Sequence, residues 1–130
     1  MPAPAVQGYA YNRTRQCYVA TNLAVANSHW TRLRGLMATD MAKFPAGSGL
    51  WIVPCRGVHT FGMRFPIDVL YLDAENRVIY LEEGLRPWRI APVRLKAVTV
   101  VELPPGTVAS SQTTFGDIIE IGENGNGVRA

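Results

Sequence analysis

The chain has 130 residues, 48% hydrophobic and 18% charged, the balance of one globular domain large enough to bury a core unaided. Two cysteines are too few for a disulfide framework, no apolar run approaches the ~20 residues of a membrane helix, and the N-terminus lacks a secretory pattern. A cytoplasmic protein with no membrane partner is expected.

Residues 1–15, with Pro2, Pro4 and Gly8, read as a flexible N-terminal segment. A single β-rich domain over 16–122 and a flexible tail over 123–130 complete the expected organisation. Cys17 to Ala26 reads as a strand. The period then changes: Trp30, Leu33, Met37 and Met41 recur at three- and four-residue spacing, which predicts one helix capped by Asn27 or Ser28. Gly35 weakens that helix by roughly 1 kcal/mol relative to alanine and suits close packing on a strand. Pro45 to Gly49 is a loop and Leu50 to Pro54 a short strand.

From Phe65 the alternation returns, with Phe65, Ile67, Val69 and Tyr71 on one face and Asp68, Leu70 and Leu72 on the other. Asp73 to Asn76 is a turn, and Arg77 to Glu83 the returning strand. Gly84 to Pro92 is irregular because Pro87 and Pro92 cannot donate to a ladder. Ala97 to Leu103 and Ile118 to Ile121 are the last strands. The expected fold is mainly β: a small antiparallel barrel or sandwich of about seven or eight short strands with one packed helix.

Three runs follow one another in a characteristic order: RLRGLMA (Arg32 to Ala38), LWIVPCRGVHTFGMRFPIDVLYLD (Leu50 to Asp73) and VVELPPGT (Val100 to Thr107), with Gly116-Asp117 after them. From about Ala20 to Ile121 the chain resembles the uncharacterised bacterial and archaeal family called domain of unknown function 192. The resemblance implies a compact, mainly β domain with no established activity. Members of that family carry Trp-Met-Lys-Asn-Thr in the register of His59 to Met63, and a proline-apolar-aspartate triplet where Pro66, Ile67 and Asp68 stand. The resemblance thus makes Cys55, His59 and Met63 a branch feature and Asp68 part of the wider pattern.

The stretch Pro54 to Asp68 concentrates the polar chemistry. Cys55, His59 and Met63, at i, i+4 and i+8, offer soft or borderline ligands for copper or zinc, with His29 as a nominee for the fourth position. The structural alternative makes Cys55 a small hydrophobe and Met63 a gap filler, with no cofactor. Cys55, His59 and Asp68 compose a nucleophile, base and orienter on paper. In an extended chain, however, Cys55 and His59 stand roughly 13 Å apart, so only a fold-back at Gly57 joins them. Asp68 inside a strand costs several kcal/mol unless it accepts backbone N–H groups or pairs with Arg34, Arg56 or Arg64. Trp88 and the arginines around it offer a base or an anion a stacking and pairing surface. Glu102 is a second acid within a strand, with Arg64 or Arg89 as prospective partners.

Charge is unevenly spread. Residues 1–64 hold seven basic groups against Asp40 alone, while 65–130 hold six basic and nine acidic groups. This leaves three readings of function. The first is a small binding or accessory domain whose groove, lined by His59, Arg64, Asp68 and Trp88, takes a small polar ligand or peptide. The second is an enzyme or metal site built on Cys55, His59 and Met63. The third is weak nucleic-acid association through the basic half, disfavoured because no dense basic stripe is present.

Overall fold

The computed structural model describes residues 7–123, apart from the side chains of Gln7, His29, Trp30 and Leu33. Seven strands form one curled sheet: β1 (Gln7–Asn12), β2 (Cys17–Ala26), β3 (Ser48–Ile52), β4 (Ile67–Leu72), β5 (Val78–Leu85), β6 (Thr99–Leu103) and β7 (Ile119–Glu123). Their order is β5-β4-β6-β3-β2-β1-β7. The two outer strands meet at one end, through a bridge between Arg77 and Ile118 and a hydrogen bond from Val78 N–H to the Asp117 carbonyl at 2.8 Å. The result is a half-barrel, mainly β as the strand count predicts.

One adjacency departs from the antiparallel expectation. Strands β2 and β3 run parallel, Asn22 opposite Ser48 through Ala26 opposite Ile52. A parallel pair needs a long crossover. The segment between these strands supplies it, and carries α1 (His29–Arg34) and a single 3-10 turn (Met41–Lys43). The predicted helix over this stretch is therefore too long. Gly35, at φ 48°, turns the chain out of the helix, so Met37 and Met41 lie beyond it. Its N-terminus is as predicted. The Ser28 hydroxyl accepts from Thr31 N–H at 3.0 Å, and the Thr31 side chain accepts from Ser28 N–H.

The loose segment expected over 1–15 contains β1, paired with β2 on one side and β7 on the other. Pro2 and Pro4 lie outside the described residues, as does the expected tail beyond Glu123. What holds β1 is a buried polar knot that no local pattern announces. The Asn12 amide donates to Asp117 Oδ2 at 2.9 Å, and Arg15 Nε reaches the same oxygen at 3.1 Å. The second unpredicted element is α2 (Thr107–Ser111), a single short helical turn after the two prolines.

The sheet carries a core on each face. Val69, Tyr71, Val100, Leu50 and Ile52 join Leu36, Phe44, Met63 and Phe65 on one side. Leu70, Leu72, Val101 and Leu103 join Ala10, Leu23, Val108 and Ile119 on the other. Strand β4 is buried on both faces along its length, and each of its large side chains contributes roughly 1.5–3 kcal/mol by leaving water.

Candidate functional site: a basic cleft backed by a buried carboxylate

The crossover that makes β2 and β3 parallel also makes a cleft. The α1-to-3-10 connection stands off the sheet, and Ala24 and Ala26 on β2 are too small to fill the space beneath it. The cleft is about 700 Å³ in volume. Three cations from separate segments line it: Arg34 at the end of α1, Lys43 in the 3-10 turn, and Arg64 just before β4. Asp40 is the single carboxylate in its lining. Among the described residues none of these three cations has a carboxylate within ion-pair distance; the ion pairs found are Arg13 with Glu120 and Arg15 with Asp117. Asn22, Thr31, Thr39 and buried Ser48 add hydrogen-bonding groups.

Arg34, Gly35 and Leu36 form a wall shared with a second cavity of about 40 Å³, room for one or two waters. Cys55, His59, Met63, Arg32 and Glu102 line it on the far side. Glu102 sits on β6 opposite Leu50 and Val69, facing the same core as Val100. It is 2% exposed, and its Oε1 has no hydrogen-bond partner among the described residues. Neither Arg64 nor Arg89 pairs with it, contrary to the sequence-based suggestion, because its strand position turns it beneath Gly35. A Cβ at Gly35 would lie 3.5 Å from Oε1. Burial pushes the Glu102 carboxyl up to about 8. Near neutral pH it is chiefly the protonated acid.

Cys55 and His59 do lie on one cavity, which extended geometry did not allow. The chain bends at Val53, Pro54 and Arg56, not at Gly57, and the Cys55 thiol donates to the Gly57 carbonyl at 2.9 Å. Burial pushes that thiol up, away from the nucleophilic thiolate. His59 Nδ1 accepts from Phe61 N–H at 3.3 Å. Among the described residues no three His, Cys, Asp or Glu side chains come together as a metal-binding group. The His29 side chain, nominated as a fourth ligand, lies outside the described residues.

Asp68 is on the opposite face of the sheet from this cavity. Its Oδ1 accepts Gly84 N–H and its Oδ2 accepts Val108 N–H, both at 2.9 Å. Between Ile67–Leu85 and Val69–Glu82 the β4–β5 register slips by one residue, a bulge at Glu83 and Gly84, the latter at φ 63°. Asp68 takes up one backbone donor at this bulge and one from the first turn of α2. None of the arginines named as partners engages it. It therefore does not combine with Cys55 and His59 as a triad. Nor do His59, Arg64, Asp68 and Trp88 share a groove. Arg64 lines the larger cleft, His59 the smaller cavity, and Trp88 stands 65% exposed on the loop after β5. Arg34, Lys43 and Glu102 complete the two cavities. Their signal in the sequence was the excess of cations before residue 65 and an acid inside an apolar strand.

A curled seven-stranded half-barrel with a basic cleft over a parallel strand pair thus defines the class of protein. The chain belongs to the DUF192 family, described as "Uncharacterized ACR", whose model matches residues 10–121. It is 38% identical over 118 residues to a UPF0127 protein of Pyrococcus abyssi, covering 87% of this chain and 97% of that one. It is 34% identical over 101 residues to a UPF0127 protein of Pyrococcus horikoshii, covering 74% and 84%. A Sinorhizobium meliloti 1021 structure, described as a candidate transcription regulator, shares the fold with a TM-score of 0.80 at 19% identity, covering 93% of this chain and 97% of that one. The family is uncharacterised and has no established activity. Among the described residues no helix is long and apolar enough to cross a membrane.

Proposed function

We propose that the protein is a binding module that takes up a small anionic ligand in the cleft between α1 and the β2–β3 pair. The observation that carries this is the convergence of Arg34, Lys43 and Arg64, from three segments, without an acidic partner among the described residues. A volume of about 700 Å³ is in the range of small-molecule sites. Arginine forks match carboxylate and phosphate geometry. The hydroxyl and amide groups of Ser48, Thr31 and Asn22 suit the ligand's neutral polar atoms. The unpaired thiols of Cys17 and Cys55 support a reducing, cytoplasmic setting.

Titration of the whole chain with inorganic phosphate and with citrate, followed by calorimetry and amide chemical shifts, tests this reading. The expected result is saturable binding that weakens with salt and falls about tenfold in Arg34→Ala and in Arg64→Ala, in line with the loss of one charge-assisted bond. Absence of binding to either anion, or binding that both substitutions leave unchanged, would overturn it.

A further inference from the structure

We propose that a second surface, away from the cleft, docks an acidic and partly apolar polypeptide segment. It is an irregular ribbon made by the loop before β4 and the loop between β5 and β6. Backbone hydrogen bonds join them rung by rung: Cys55 N–H to the Val98 carbonyl, Arg94 N–H to Arg56, Ala91 N–H to Val58, and Thr60 N–H to Arg89, all within 2.8–2.9 Å. The buried Thr60 hydroxyl locks the far end, donating to the Arg86 carbonyl at 2.6 Å and accepting Arg89 N–H at 2.9 Å. The ribbon is thus a fixed scaffold, not a slack loop.

Its outward side chains are unusual in two ways. Of the eight large hydrophobics exposed among the described residues, six are on it: Phe61, Trp88, Ile90, Val93, Leu95 and Val98, with Leu95 80% and Ile90 70% exposed. Exposed apolar side chains gathered in one place mark interaction sites, whereas scattered ones do not. The second feature is charge. Leaving aside Arg64, which lines the cleft, residues 53–63 and 84–98 contain five lysines and arginines and no aspartate or glutamate, although the chain has ten acids elsewhere. Along the second strip, the exposed cations Arg89 and Lys96 bracket the exposed apolar residues Ile90, Val93 and Leu95, while Arg94 turns inward over the Tyr80 ring, 3.6 Å from its centroid.

That arrangement suits an extended partner with carboxylates set among apolar side chains, since each can meet its complement along one ribbon. The aliphatic tips of Ile90, Val93 and Leu95 offer no stacking face to a nucleobase. The aromatic that does, Trp88, already lies against Phe61 with ring centroids 6.1 Å apart. Exposed tryptophan flanked by arginine is also the composition of energetic centres in protein interfaces.

The test uses the whole chain and a fluorescent peptide of about twelve residues alternating Glu and Leu, read by anisotropy. An all-Glu peptide, a Lys/Leu peptide, an oligo-dT and phosphatidylserine vesicles serve as competitors. Saturable binding of the Glu/Leu peptide is expected, at least tenfold weaker in a Trp88→Ser, Leu95→Ser double variant whose thermal melt matches the parent, and unchanged in Arg34→Ala. No saturable binding, undiminished binding in the double variant, loss in Arg34→Ala, or stronger binding to the all-Glu peptide, the Lys/Leu peptide, oligo-dT or vesicles would overturn the proposal. Because the anion cleft is read by Arg34→Ala and the ribbon by Trp88 and Leu95, the two sites fail independently.

Discussion

Asp68 and Glu102 are near neighbours on adjacent strands, one residue apart in the β4–β6 register, and both are at most 2% exposed. They face opposite sides of the sheet and meet opposite fates. Asp68 spends both oxygens on backbone donors, a part-buried one at the β5 bulge and a buried one in the first turn of α2. Glu102 faces the small cavity beneath Gly35, and among the described residues its Oε1 has no hydrogen-bond partner. An acid inside a strand is thus two different objects. It is a fastener where irregular backbone lies beside it, and a costly neutral acid where it does not.

Removing the fastener has the largest expected effect. Asp68→Ala strands the buried Val108 N–H, worth roughly 1–3 kcal/mol, removes the part-buried bond from Gly84 N–H, and leaves a small void. A loss of about 2–4 kcal/mol is expected from urea unfolding at neutral pH, with faster amide exchange at Gly84 and Val108. A loss below about 1 kcal/mol would erase the distinction between the two acids.

Glu102→Gln probes the other side through pH. The folded value near 8 is above the ordinary glutamate value near 4.3, so the unfolded chain releases its proton first as pH rises. Glu102 therefore lowers stability progressively from about pH 4 to pH 8, with a plateau above. Glutamine, neutral throughout, is expected to change little at pH 4 and to stabilise by a few kcal/mol at pH 8, read from urea midpoints across that range. Destabilisation at pH 8 would mean that an ionised Glu102 has found a partner.

The glycines beside the two acids sharpen the contrast further. Gly84→Ala meets nothing within 4 Å, so its cost is the positive φ alone, about 1–2 kcal/mol. Gly35→Ala meets a backbone at φ 48° and ψ −123°, a conformation that side chains other than glycine's rarely adopt, and sets a methyl 3.5 Å from Glu102 Oε1. Both are expected to lower the thermal midpoint, and the Gly35 variant alone to change the pH dependence assigned to Glu102. The smallest effect belongs to the cap that starts the cover over Glu102. Ser28→Ala is expected to cost about 1 kcal/mol by urea unfolding, without altering Asp68's bonds to Gly84 and Val108.

Much of the sheet was legible because local rules act there. Alternation in Ile67 to Leu72 fixed which residues face which core, and Ser28 announced the start of α1. The helix end was misread because the spacing of Met37 and Met41 satisfied the period while Gly35 broke the backbone. β1 was misread because its stability comes from Asn12, Arg15 and Asp117, about a hundred residues apart in the chain. In the candidate site, Arg64 and His59 stand out in the sequence, but nothing local shows that one belongs to the cleft and the other to the cavity behind it.

A mainly β chain of short strands, its family, and two in-strand acids in need of an explanation are all legible in the order of the residues. These follow from periodicity, turn chemistry and the cost of burying charge, all of which act over a few residues. The parallel run of β2 and β3, the basic cleft over them, and the different surroundings of Asp68 and Glu102 emerge only in the folded sheet. Those outcomes depend on which distant backbone N–H groups and side chains the sheet order brings alongside each carboxylate, and strand order is a long-range property that no local pattern encodes.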